Sequence, residues 1–520
     1  MIDGAQIEAL SAQQLRQIVR SLMVDVAGQR NEIAFKQATI DKLTHEMAVL
    51  KRLKFAAKSE AFTAEQKSLI EETLDADLAA LALEIERRAP IAKNPHDKQQ
   101  PKRAALPSSL PRREISHEPD STLCGCGCQL KRIGEDVAEK LDYVPGVFTV
   151  ERHVRGKWVC TKCQTLVQAP VPAHIIDKGI PTTGLLAQVL VAKYADHLPL
   201  YRQEGIFERA GLAIARSTLA AWVGQCGVHL QPLVDALKTE LLGRGVLHAD
   251  ETPVAMLKPG NGKTHRAYLW SYCTTVYDPI KAVVFDFADS RGGQHARAFL
   301  GLPGEQGWRG KLVCDDFSGY KACFELGVTE AGCLAHARRK FHELWADHKS
   351  PIGEQALKFF VELYDIECEL GELQPEQRRR IRQERARPVA DALHQWLTQQ
   401  RQRVPDGSAT AKAIDYSLNR WRALVRFIDD GDLPPDNNWV ENQIRPIALG
   451  RNNWLFAGSL RAGRRAAAIM SLIHSARLNA HEPYAYIRDV LERLPMHPAS
   501  RISELLPHRW CPSDADTLGP

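Results

Sequence analysis

Nowhere in this chain do eighteen apolar residues run together, and the first fourteen residues are polar, with no apolar stretch of signal-peptide length. Neither a membrane span nor a secretory leader is expected, so the reading is a cytoplasmic protein with no membrane partner. In that compartment thiols stay reduced, which removes the disulfide as the default role for the twelve cysteines. Acids are scarce in one stretch above all. Between positions 441 and 480 the only carboxylate is Glu441, set against Arg445, Arg451, Arg461, Arg464, Arg465 and Arg477. The formal net charge of +5 for the whole chain equals the surplus of this stripe, so the rest of the sequence is balanced. A basic stripe around one acid suits a polyanionic partner, nucleic acid first of all, better than a generic solvated face.

What is present fits a soluble, folded, multidomain chain. Hydrophobic residues make up 44% and charged residues 25%, enough apolar surface to build cores, and 520 residues exceed what one ordinary core holds. Residues 1–58 carry heptads, with Val19, Val26, Ile33, Ile40 and Met47 at one seam position and Leu15, Leu22, Leu43 and Leu50 at the other. Gln29 and Lys36 interrupt the second position. The pattern predicts a coiled-coil oligomerisation helix and hence a homo-oligomer, with packing against the protein's own helices as the alternative. Residues 59–119 read as a second helix, ended by Pro90, and a basic linker. Residues 120–178 alternate short β-type runs with turns and form a small β module. Residues 179–243 return to helical periodicity and contain a possible helix-turn-helix with Gly211 at the turn.

Strand-like runs at 245–250, 267–273, 282–287 and 311–315, with a helix at 295–300 between the last two, predict a mixed sheet in an α/β domain spanning 244–349. Residues 350–435 read as an all-helical insertion, residues 436–480 as the last part of the same domain, and 481–520 as a C-terminal tail. The fold class is therefore multidomain α+β.

Two acids end strands of that sheet, Asp250 the first and Asp315 the fourth, and each is followed by a second acid, Glu251 and Asp316. Carboxylates on neighbouring strand ends suit hard divalent cations, which take oxygen ligands. Two such ions about 3.5–4 Å apart activate an attacking oxygen and stabilise a leaving one at phosphorus. Glu441, at the start of the basic stripe, is the candidate third acid. On spacing alone Glu251 and Asp316 rival Asp250 and Asp315. The cysteines suggest a second metal: Cys160-Thr-Lys-Cys163 has the spacer of a zinc knuckle, and Cys126 with Cys128 are taken as its upstream partners, Cys124 being the alternative. His336, Arg338, Arg339 and Lys340, after a strand-like start at Cys333, suggest a helix facing DNA, against the alternative of a solvated basic face. No Ser-His-Asp arrangement is recognisable.

Several stretches, in order along nearly the whole chain, resemble the DDE transposases of the insertion sequence 66 family. They are Cys126-Gly127, Ile133-Gly-Glu-Asp136, Leu198-Pro-Leu-Tyr201, His248-Ala-Asp-Glu-Thr252, Asp315-Asp-Phe-Ser-Gly-Tyr320, Cys333-Leu-Ala-His-Ala-Arg-Arg-Lys-Phe341, Glu441-Asn-Gln-Ile-Arg-Pro446 and Leu449-Gly-Arg-Asn-Asn-Trp-Leu-Phe-Ala-Gly458. The resemblance implies a ribonuclease H-like core with a helical insertion between the second Asp and the Glu. It implies Asp250, Asp315 and Glu441 as catalytic ligands of two Mg²⁺ or Mn²⁺ ions, and cleavage at element ends followed by strand transfer into target DNA. The cysteine module then resembles a zinc-binding DNA-recognition element, a purely structural Zn²⁺ being the alternative. DNA contacts would come from Arg338, Arg339, Lys340, Arg445, Arg451, Arg461, Arg464 and Arg465, and small accessory proteins of the same element are implied partners. Two other functions compete: a non-catalytic zinc-containing DNA-binding protein derived from a transposase, and a simple nuclease of similar fold.

Overall fold

The computed structural model describes residues 12–56, 64–88, 106–108, 110–144, 146–171, 173–176, 179–258 and 263–512. Two helices, α1 (Ala12–Ala56) and α2 (Ala64–Arg88), open the fold. They meet through Leu43 and Leu50 of α1 and Leu69, Ile70, Leu74 and Leu81 of α2, a small apolar cluster completed by Phe456 from the far end of the chain. The later heptad positions are thus used within the chain, while Leu22, Val26 and Ile33 stay exposed. The side chains of Leu15 and Val19 lie outside the described residues, as do linker residues 89–105.

A four-stranded sheet follows: β1 (Arg112–His117), β2 (Leu130–Val144), β3 (Val147–Cys160) and β4 (Leu166–Gln168). β2 and β3 form a long antiparallel ribbon, β4 adds to β3, and β1 lies parallel to β3 on its other edge. β1 corrects the reading of a linker to residue 119. The segment has little apolar content, so its strand is set by backbone pairing with β3 and by Arg112 to Glu139 (2.9 Å) and Arg152 to Glu114 (2.8 Å).

Helices α3 (Thr183–Tyr194), α4 (Leu200–Arg209) and α5 (Arg216–Leu242) supply much of the main core. Thr182 caps α3 by accepting from the Leu185 amide, and Gly211 takes a left-handed φ of 91° between α4 and α5. α2 runs tightly against α5. A Cβ built on Gly224 would sit 2.2 Å from the Ala76 carbonyl oxygen, so only glycine permits that approach.

The central sheet has five strands: β5 (Val246–Met256), β6 (His265–Thr274), β7 (Val283–Ala288), β8 (Lys311–Val313) and β9 (Thr329–Ala331), with α6 (Gln294–Phe299) between β7 and β8 and α7 (Lys321–Glu325) between β8 and β9. Their order is β7-β6-β5-β8-β9, the first three antiparallel in sequence and the last two parallel to β5. β9 was not expected from the sequence, being three residues long and without alternation. Cys333, read as the start of a strand, is instead the N-cap of α8 (Leu334–His348).

Helices α9 (Pro351–Cys368), α10 (Pro375–Ile381), α11 (Arg387–Arg401), α12 (Ala409–Asn419) and α13 (Trp421–Leu424) form the insertion. They share an apolar core with Val313, Ala331 and Phe341, so the insertion is seated on the β8–β9 side of the sheet. Arg382 lies fully buried at its centre, paired with Glu367 at 2.7 Å and donating to the carbonyls of Phe427, Asp430 and Leu433. The chain then returns to the sheet as α14 (Asn438–Trp454), α15 (Leu460–Leu478) and α16 (Pro483–Arg493). Residues 481–512 correct the expectation of a tail: Tyr486, Ile487, Val490, Leu491, Leu505 and Trp510 are buried in the main core. Among the described residues no helix is long and apolar enough to cross a membrane.

Candidate active site and zinc centre

Asp250 does not end its strand, as the sequence suggested, but lies in the middle of β5. What ends there is the pairing. β8 accompanies β5 only from Val246 to His248, through the pairs Val246 with Lys311 and His248 with Val313. Asp250 and Asp315 each stand two residues past the last pair of this ladder, His248 with Val313. α14 crosses β5 and β6 and brings Glu441 in its first turn to the same place. A helix N-terminus favours a carboxylate there.

The neighbouring acids also act on Asp250 through their charge. Burial, together with the charges of Glu251, Asp315 and Glu441, holds the Asp250 carboxyl well above the usual carboxylate range. The Asp250 oxygen Oδ1 accepts from the Glu251 amide at 2.8 Å, and Asp315 Oδ1 from the Phe317 amide at 3.0 Å. Oε1 of Glu441 is buried and has no hydrogen-bond partner. Nδ1 of His336 lies 3.8 Å from this oxygen, and Arg339 lies 3.7 Å from the other oxygen, Oε2, both residues being on α8.

The two rival acids are already engaged. Glu251 is buried, accepts from Arg291 at 2.7 Å and from the Tyr320 hydroxyl at 2.7 Å, and is raised by burial against the opposing pull of those two donors. Asp316 is exposed and faces Arg420 at 3.4 Å. A buried carboxylate oxygen without a donor, beside two more acids, is a donor set suited to divalent cations, so the residues present fit such ions.

The basic residues divide into two groups. Arg338, Arg339, Arg445 and Arg464 are exposed, and Lys340 lies over the Tyr416 ring at 4.5 Å. The others serve the fold. Arg465 is buried against Asp77 of α2 at 2.8 Å, Arg461 pairs with Glu46 (3.1 Å) and Glu84 (2.6 Å), and Arg451 donates to the Pro253 carbonyl at 2.5 Å. Sequence reasoning grouped them because the groups that claim them lie far earlier in the chain, from 198 residues for Arg451 to 415 for Arg461.

In the first sheet, the Sγ atoms of Cys124, Cys126, Cys160 and Cys163 lie within 4.8 Å of one another. Separations of 3.2 Å (Cys124 to Cys163), 3.7 Å (Cys126 to Cys160) and 3.8 Å (Cys126 to Cys163) suit the tetrahedron set by Zn–S bonds of about 2.3 Å. Hydrogen bonds from Thr165 pull the Cys163 thiol down to about 6, nearer the thiolate that binds metal. Cys124 takes the place expected for Cys128. The loop is closed by Cys124 N–H to the Cys128 carbonyl and Gly127 N–H to the Cys124 carbonyl, both 2.8 Å, with Gly127 at a φ of 81°. This tight turn gathers Cys124 and Cys126 on the knuckle and leaves Cys128 outside the cluster.

The chain belongs to the IS66 transposase family. The model described as "Transposase IS66 family" matches residues 178–465, and "IS66 C-terminal element" matches 471–508. "Zinc-finger binding domain of transposase IS66" matches residues 121–164, the segment that gathers the four thiols, and "Transposase C of IS166 homeodomain" matches 42–115. Similar proteins of Sinorhizobium fredii (strain NBRC 101917 / NGR234) carry no assigned activity. Uncharacterized protein y4jD is 35% identical over 506 residues, covering 92% of this chain and 95% of its own. Uncharacterized protein y4hP is 35% identical over 444 residues, covering 81% of this chain and 79% of its own.

Proposed function

We propose that the chain is a DDE-type transposase that cleaves DNA strands at the ends of an insertion sequence and joins the freed 3′ hydroxyl to target DNA. The observation that carries this reading is the meeting of Asp250, Asp315 and Glu441 at the place where β5 and β8 part, with a buried oxygen of Glu441 left unpartnered. The strand order β7-β6-β5-β8-β9, with a helical insertion before the helix that bears the third acid, supports a ribonuclease H-like core.

These three carboxylates would hold two Mg²⁺ or Mn²⁺ ions, which supply activation of the attacking oxygen and charge stabilisation at the leaving one. The protein's own part is to orient and to bind. Glu251, locked by Arg291 and Tyr320, steadies the strand beside Asp250. Asp315 is held by the Phe317 amide at the start of the following turn. The exposed Arg338, Arg339 and Arg445, on the two helices that bear His336 and Glu441, would position the phosphate backbone, and the exposed Arg464 would add a further contact. Lys340 would act with them, and Arg451, Arg461 and Arg465 are left to structural work. The four thiols would hold a structural Zn²⁺ in a module placed to contact DNA, and the exposed Leu22, Val26 and Ile33 of α1 would join a second copy to bring two element ends together.

Strand cleavage and joining on end-bearing DNA with Mg²⁺ or Mn²⁺ tests the reading. Alanine at Asp250, Asp315 or Glu441 is expected to lower both steps at least about a thousandfold, and alanine at Asp316 to cost less than about tenfold. Binding of ends without any nicking would make the chain a DNA-binding relative of such enzymes, and cleavage without joining a nuclease. An inactive Asp316→Ala beside an active Asp315→Ala would move the second ligand by one residue.

A further inference from the structure

We propose that His336, through Nδ1, is a ligand of the divalent cation held at Glu441, so that the acidic cleft offers one nitrogen donor as well as carboxylate oxygens. The inference rests on the metal-site reading above and adds a residue that neither strand position nor the acid triad indicates.

His336 stands in the first turn of α8 and Glu441 in the first turn of α14, so two helix N-termini face each other across the cleft. His336 Nδ1 and Glu441 Oε1 are 3.8 Å apart, both buried, and neither has a hydrogen-bond partner. That gap is too long for a hydrogen bond between them. Two donors on one cation, each at about 2.1 Å, lie roughly 3 to 4 Å apart depending on whether they are adjacent or opposite, so the observed separation is that of co-ligands. Asp315 is close enough for its charge to act on the imidazole, as are Arg339 and Arg420 with the opposite sign.

The neighbouring groups do not fill the gap. Cys333 Sγ is within 4.8 Å of both atoms, but it accepts the Asn437 amide at 3.2 Å and so serves the join between α8 and α14. Arg339 approaches the other oxygen, Oε2, and remains 3.7 Å from it. A buried imidazole nitrogen and a buried carboxylate oxygen, each facing the other and both unsatisfied, mark a space shaped for a cation. Nitrogen is a softer donor than oxygen and raises affinity along the series from Mn²⁺ upward, whereas Mg²⁺ gains little from it. His336 would therefore bias the site toward Mn²⁺.

The test uses the zinc-replete full-length protein with one equivalent of Mn²⁺, read by spin-echo modulation of the bound ion, which reports directly coordinated nitrogen. The wild type is expected to show ¹⁴N modulation that converts to a ¹⁵N pattern when the protein is grown with ¹⁵N-histidine, a measurement that needs no substitution. His336→Gln is expected to lose the signal and to weaken Mn²⁺ about tenfold while changing Mg²⁺ affinity less than about threefold. Tight Mn²⁺ that Asp250→Asn releases, but with no nitrogen modulation or with modulation that survives in His336→Gln, overturns the proposal and leaves the acid site standing. Failure of the wild type to retain Mn²⁺ at all overturns both.

Discussion

Nδ1 of His248 lies 2.8 Å from Oδ1 of Asn437, while Nδ2 of Asn437 donates to the Ala249 carbonyl at 2.9 Å. One buried amide thus ties the strand that carries Asp250 to the residue that opens the helix carrying Glu441. Asn437 is the N-cap of α14, and its own amide reaches Cys333 at the N-terminus of α8. Burial pushes the His248 imidazole down to about 4, against the pull of its Asn437 hydrogen bond, so at neutral pH it is uncharged and donates through Nδ1.

Asn437→Ala is expected to leave His248 Nδ1 and the Ala249 carbonyl unsatisfied, costing about 1–3 kcal/mol in urea unfolding. Strand cleavage should fall further than stability explains, by about ten- to a hundredfold, because the spacing of Asp250 and Glu441 loosens. A variant with wild-type cleavage would show that the acids are held in place without this link.

Zinc content separates the upstream cysteines. Cys124→Ser, Cys126→Ser, Cys160→Ser and Cys163→Ser should each yield protein with well under one zinc per chain by elemental analysis, whereas Cys128→Ser should keep about one. Equal loss from Cys124→Ser and Cys128→Ser would mean that the turn rearranges around the ion.

The pair Arg465–Asp77 should behave as a buried link rather than as a DNA contact. Arg465→Ala leaves Asp77 buried with only the Ser459 hydroxyl as partner and is expected to destabilise by about 3–5 kcal/mol, most of it regained in an Arg465→Met, Asp77→Leu double variant. That double variant should keep the salt dependence of DNA binding. Arg445→Ala, at an exposed position, should lower the slope of log K against log salt by about 1.

Acid should destabilise the fold through His474. Burial, with the charge of Arg477 and neighbouring His197 adding to it, pushes this imidazole down to about 3. The unfolded chain therefore binds the proton first. The stability is complete above about pH 6.5 and falls by about 1.4 kcal/mol per pH unit as pH drops toward the folded value. His474→Leu should show about 1 kcal/mol less loss between pH 7 and 5.5 in urea unfolding than the wild type. Parallel losses in the two proteins would assign the acid sensitivity elsewhere, the fully buried His248 being the next candidate.

Asp250, Asp315 and Glu441 stand out as candidates in the sequence because strand runs and turns are local patterns, and family motifs surround each acid. Which member of each pair sits free does not stand out. Glu251 is taken by Arg291, forty positions away, and Asp316 by Arg420, more than a hundred away, and no local pattern encodes such distances. The same holds for the arginine stripe. Its charge is visible in one dimension, but Arg461 and Arg465 find Glu46, Glu84 and Asp77 only once α1 and α2 have docked beside α15. The approach of His336 Nδ1 to Glu441 Oε1 was not legible either, because it exists only between two helices.

Composition, periodicity and motif order by themselves determined the succession of helical and β segments, a cysteine knuckle and the candidate acids, since each depends on residues within a turn or a strand of one another. Tertiary structure decided which thiols gather, which cations are spent on the protein's own carboxylates, that the last thirty or so described residues are core, and how Asp250, Asp315 and Glu441 meet. Those outcomes depend on strand register and helix docking, where burial and charge pairing act between residues far apart along the backbone.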